Sequence, residues 1–220
     1  MTRVVWLTDL HLNFVGLERV EQFLDEIIAT ESASVLIGGD VGEAETLATY
    51  LAQFDSRLKR PIYFVLGNHD FYKGSIPVVR EAIRQLCREH PDLHYLTQLG
   101  VIELTPRVGL IGHDGWADAR YGDYENSDVI LTDYALIAEL AGHFQLDRRP
   151  TLERRLIFTK SCQKRSPASS TSFSSRMCHR CAKPAGMQAD FQTTTGHRIS
   201  PAKQWVTRFS TSCANIPNES

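Results

Sequence analysis

Ile62-Tyr63-Phe64-Val65-Leu66 followed by Gly67-Asn68-His69-Asp70 is the stretch whose reading decides the fold. Five apolar residues rich in β-branched and aromatic types read as a buried strand. Gly67 allows a sharp turn at its end. The next three side chains can bind metal or move protons. Two earlier strands end in the same way. Val4-Val5-Trp6-Leu7 runs into Thr8-Asp9-Leu10-His11, and Val35-Leu36-Ile37 runs into Gly38-Gly39-Asp40-Val41-Gly42-Glu43. In an open α/β sheet, ligands bind at that C-terminal strand edge.

The segments between these strands carry helical periodicity. Val20, Phe23, Leu24, Ile27 and Ile28 recur at helical spacing and predict a helix over Leu17–Ala29. Further helices are expected over Glu43–Phe54 and over Ile76–Glu89, with strands over 34–37 and 62–66. This βαβαβ alternation predicts an α/β fold with a parallel sheet and helices packed on it. After Pro91, Val101–Leu104 and Val108–Ile111 flank Thr105-Pro106-Arg107 and read as two strands joined by a short turn. A polar loop from Gly112 to about Asn126 follows, with the look of a functional loop. A helix over Ser127–Leu140 completes the regular part.

Composition divides the chain in two. The 220 residues carry a formal charge of −2, but residues 1–147 hold 11 Lys+Arg against 23 Asp+Glu, and residues 148–220 hold 13 against 3. Four of the five cysteines (Cys162, Cys178, Cys181 and Cys213) also fall in the second part, and only Cys87 in the first. Residues 1–147 read as one α/β domain, and 148–220 as a basic tail rich in Ser and Thr without sustained periodicity. Charged residues break each N-terminal apolar run, and no stretch reaches transmembrane length. The expected location is the cytoplasm, with no membrane partner and with reduced cysteines.

Asp9-Leu10-His11, Gly39-Asp40-Val41-Gly42-Glu43 and Gly67-Asn68-His69-Asp70 together resemble the first three motifs of the calcineurin-like metallophosphoesterases. Order, spacing and strand context agree over roughly the first two-thirds of the chain. The resemblance implies a layered fold, of which this would be the first half, and a hydrolase acting on phosphomonoesters or phosphodiesters. Two metal ions ~3.5–4 Å apart would generate hydroxide and clamp the phosphoryl oxygens. Asp40 is the candidate bridge between them, since a shared carboxylate offsets repulsion between cations. Asp9 and His11 would serve one metal, and the amide oxygen of Asn68 the other. Mixed oxygen and imidazole donors suit Mn, Fe or Zn better than Mg. His69 is implied to donate a proton to the leaving oxygen or a hydrogen bond to the phosphoryl group. Glu43 holds the position whose acid pairs with that histidine. Asp70 reads as support for the turn, and His113 either shapes its loop or faces substrate. His90, His94 and His143 flank turns or helix ends and need no function. The sequence does not distinguish nucleotide, protein, lipid and nucleic-acid phosphoesters, and it sets no oligomeric state.

The family's later histidine motifs are not legible in residues 148–220. Yet Arg176-Met177-Cys178-His179-Arg180, reverse-translated and read two bases on, can spell His-Val-Pro-Pro, and residues 167–175 can then read as an apolar strand. The tail is therefore expected to be disordered and out of frame, with the break between residues 147 and 165. The metal site would then be incomplete and turnover poor. The rival reading is a non-catalytic protein with a metal-binding tail around Cys178-His179-Arg180-Cys181, or a basic nucleic-acid-binding one. Against it, no second close ligand pair and no recognition helix can be found.

Overall fold

The structure, a computed structural model, describes residues 3–106, 108–116, 126–127, 129–142 and 207–208. Strands β1 (Val4–Leu7), β2 (Ser34–Ile37), β3 (Ile62–Phe64) and β4 (Leu93–Tyr95) pair in parallel in sequence order. Helices α1 (Leu17–Ala29), α2 (Leu47–Leu58) and α3 (Ile76–Glu89) connect them. Strands β5 (Ile102–Thr105) and β6 (Val108–Leu110) form a separate antiparallel hairpin. The α/β expectation and the parallel sheet are thus met.

Side chains alternate across a strand, so each face has its own partner. Val35, Ile37, Ile62 and Phe64 point to the main core, where they meet Leu24, Ile27, Leu51 and Phe54 of the helices. Leu36 and Tyr63, one residue out of step, point to a smaller cluster formed with Val65, Leu96 and Leu110. Helices therefore cover one face, and the β5–β6 hairpin part of the other. Near-continuous apolar strands are what a sheet covered on both faces requires.

Several boundaries differ from the sequence expectation. The second helix begins at Leu47 instead of Glu43, because residues 43–46 form a turn in which the Thr46 and Leu47 amides both bond the Glu43 carbonyl. It continues to Leu58, burying Leu47, Leu51, Phe54 and Leu58 along one stripe. Strand β3 stops at Phe64, since the Leu66 amide turns to the Asp114 carboxylate at 2.9 Å. The hairpin strands start or stop one residue from their expected limits. Strand β4 was not expected: it is three residues long and contains His94, which stacks on Tyr63 with centroids 4.8 Å apart.

The helix expected over Ser127–Leu140 is reduced to one turn, α4 (Asp133–Leu136). The surrounding chain is strapped to residues 73–76 instead. Lys73 N donates to Leu136 O, Ala138 N donates to Gly74 O, and Gly74 bridges Ile137. Glu139 then accepts from Ser75 Oγ at 2.6 Å and from Ile76 N at 2.9 Å, placing its carboxylate on the first turn of α3. Such a cap contributes ~0.5–2 kcal/mol. Glu139→Ala should accordingly lower the melting temperature by about 1–8 °C, given ~2–4 °C per kcal/mol in a chain of this size. Calorimetry checks this, and an unchanged midpoint would remove the capping role.

Of the basic tail, only Thr207–Arg208 is described. These two residues form β7, antiparallel to Val5–Trp6 at the edge of the sheet. The tail cysteines, His143, and the loop residues from Ala117 to Glu125 lie outside the described residues. Among the described residues, no helix is long and apolar enough to cross a membrane.

Candidate metal centre

The loops after β1, β2 and β3 meet at one edge of the sheet and are laced together by their own backbones. Asp9 N donates to Gly39 O at 3.3 Å, His11 N to Asp40 O at 2.8 Å, and Leu12 N to Val41 O at 2.9 Å. Asp9, His11 and Asp40 all hold left-handed backbone conformations, with φ of 53°, 45° and 53°. Each such conformation costs a non-glycine residue on the order of 1–3 kcal/mol and persists only where the surroundings impose it. Three of them at one sheet edge point to a site.

Glycines make the close approach possible. Gly39 has φ of 96°, and a Cβ there would overlap the backbone of Gly67. A Cβ on Gly67 would in turn overlap Asp40 Oδ1. With those atoms missing, Asp40 Oδ1 accepts from the His69 amide at 3.0 Å.

Asp70 fastens the two turns from below, in agreement with its reading as turn support. Fully buried, it accepts from the amides of Asp40 (2.9 Å), Val41 (2.8 Å), Gly42 (3.0 Å) and Gly67 (2.9 Å). Burial, and then the nearby Asp40 carboxylate, push its pKa up to about 7, against the opposing pull of the backbone N–H groups.

His11, Asp40 and His69 form the cluster at the centre, with one potential ligand atom from each lying within 4.8 Å of the others. Ligands at ~2.1 Å from one ion can stand at most about 4.2 Å apart, so a grouping within 4.8 Å is of the size of a single metal site. The rings of His11 and His69 meet edge to face with centroids 4.5 Å apart, and Tyr72 lies against His69 at 4.2 Å. Of these, the His11 imidazole and the Asp40 carboxylate are the mixed nitrogen and oxygen donors that suit Mn, Fe or Zn. Asn68 stands beside the cluster, its Nδ2 donating to Asp133 Oδ1 at 2.8 Å and to Tyr72 Oη at 3.2 Å.

The remaining expected residues are placed less centrally. Asp9 shares the β1 loop but is not a member of the cluster; Thr8 Oγ1 donates to its Oδ2 at 2.8 Å. Glu43 meets Lys73 Nζ at 2.6 Å, and this contact raises the pKa of the lysine. His113 is half-buried, which depresses its pKa, and its neighbour Asp114 is the structural hub of that loop. The Asp114 carboxylate takes Leu66 N, Thr97 Oγ1, Arg80 Nε and the Tyr95 hydroxyl. His90 is paired with Asp55 at 2.7 Å, consistent with a structural role.

Imidazole and carboxylate donors at the ends of adjacent parallel strands make this a partial metal site of the kind used by metal-dependent hydrolases. The chain belongs to the calcineurin-like phosphoesterase family, whose profile matches residues 2–159. A solved structure of similar fold is that of Phosphopantetheinyl Hydrolase (PptH) from Mycobacterium tuberculosis, at a TM-score of 0.52 and 14% identity. The similarity covers 76% of this chain and 64% of that one, so this chain spans under two-thirds of that relative's length. Among curated proteins none matches the chain.

Proposed function

We propose that this chain carries the first half of a two-metal phosphoesterase site and hydrolyses a phosphomonoester or phosphodiester when that site is completed. The observation that supports it most is the convergence of His11, Asp40 and His69 from three successive strand ends, in a chain of this family. When bound, two divalent ions supply a hydroxide at neutral pH and a clamp for the phosphoryl oxygens. Asp9, His11, Asp40 and Asn68 would be the ligands, and Asp40 would be the carboxylate shared between the ions. His69, against Tyr72 and at the cluster itself, is proposed to deliver a proton or hydrogen bond to the reacting phosphoester. Glu43 would orient it by exchanging its lysine partner for the imidazole, and His113 would face the substrate. The protein would work in the cytoplasm.

The chain beyond a break within residues 147–165 is proposed to be out-of-frame translation. The family match supports this by ending at residue 159, inside the window of 147–165 in which the break is placed. On that reading the present chain holds metal through an incomplete ligand set. Hydrolysis of an aryl phosphomonoester should be low, should rise with added manganese, and should fall to background with EDTA. A rate indifferent to both would contradict the metal-dependent reading.

A further inference from the structure

Asp133 lies 65 residues downstream of Asn68, at the start of the single turn α4 that no strand-end motif marks, yet it is almost wholly buried at 4% exposure. Its Oδ1 accepts from Asn68 Nδ2 at 2.8 Å and from Tyr72 Oη at 2.7 Å, and its Oδ2 accepts from Trp116 Nε1 at 3.1 Å. All three partners donate, so both carboxylate oxygens of Asp133 act as acceptors. The strap between residues 132–140 and 73–76 fixes the backbone of α4 independently of these bonds.

We infer that Asp133 is a positioning residue for Asn68, holding its amide nitrogen so that the carbonyl oxygen is the prong left to meet a metal ion. This rests on the metal-site reading above and deepens it. An asparagine has two prongs of nearly equal shape and opposite character: NH₂ donates and the carbonyl accepts. A carboxylate only accepts, so it selects one of the two orientations. The reversed amide would turn two N–H groups towards a cation, which is repulsive. The hydrogen bond from Nδ2 also pushes electron density towards the carbonyl oxygen and makes it a better ligand, as supporting partners of metal ligands generally do. Trp116 and Tyr72 in turn hold Asp133, satisfying its oxygens where water is scarce.

The test is Mn²⁺ binding by the full 220-residue chain, read by calorimetry, on the wild type, Asn68→Ala, Asp133→Ala and the double variant. Asp133→Ala should weaken binding by about 10–100-fold, the usual consequence of losing such a partner. The double variant should bind within about twofold of Asn68→Ala alone, because Asp133 acts only through that side chain. If circular dichroism shows Asp133→Ala unfolded, Asp133→Asn takes its place in the cycle. That variant still offers one acceptor but also a donor, so its loss should be smaller and should again vanish in the Asn68→Ala background. Losses that multiply in the double variant, or unchanged affinity in a folded single variant, would overturn the inference and leave the metal centre standing. A wild-type chain that binds no Mn²⁺ would overturn the metal centre, and this inference with it.

Discussion

Asp70→Ala should unfold most of the protein under mild conditions. Four backbone amides converge on this one carboxylate, and they belong to both turns of the site, at residues 40–42 and 67. A buried donor left without an acceptor costs about 1–3 kcal/mol. Water entering the small space left by the side chain would recover part of that. The expected net loss of several kcal/mol stands against a total stability of only ~5–15 kcal/mol for a domain. Asp70→Asn should also be strongly destabilised, because its NH₂ would face an amide donor. Urea denaturation followed by far-ultraviolet circular dichroism reads both. A midpoint equal to that of the wild type would show that the turns are held by something other than Asp70.

Restoring the alternative reading frame downstream of the break should raise phosphoesterase activity more than any point change in the present tail. Three strand-end motifs supply only part of the ligand set, and a loosely held ion is poorly placed to position hydroxide. Removing one well-aimed electrostatic group costs ~10²–10³ in rate, and several missing ligands should cost more. The expected gain is therefore above ~10²-fold on an aryl phosphoester with added manganese. Equal rates in the two versions would mean that residues 148–220 are not debris. Asp40→Ala in the frame-restored protein should abolish the gain, and an unchanged rate there would remove the two-metal mechanism.

Much of this molecule can be read from local pattern. Helices α1 and α3 have the bounds that their apolar spacing predicts, and β1 and β2 end where polar residues begin. Where tertiary partners decide, the pattern misleads. Apolar residues between 129 and 140 suggest a full helix, but Leu136 O and Ala138 N bond to Lys73 N and Gly74 O, and a single turn remains. Strand β4 is too short to show a period and exists because β3 offers it an edge. The site divides in the same way. His11, Asp40 and His69 are legible because each follows the end of a strand. Asp114 and Asp133 carry no local signature: an aspartate in a loop and one in a single helical turn become conspicuous only when burial and converging donors are seen. Among the described residues of the loop at His113, the group most heavily engaged is its neighbour Asp114.

The most direct test of a metal centre at this sheet edge is anomalous diffraction from crystals grown with zinc, measured on both sides of the zinc edge. The expected result is a strong peak at ~2.0–2.2 Å from a nitrogen of His11 and an oxygen of Asp40. It should be lost in Asp40→Ala crystals. A well-ordered site with no peak there, or zinc bound only at the cysteines of the tail, would contradict the assignment.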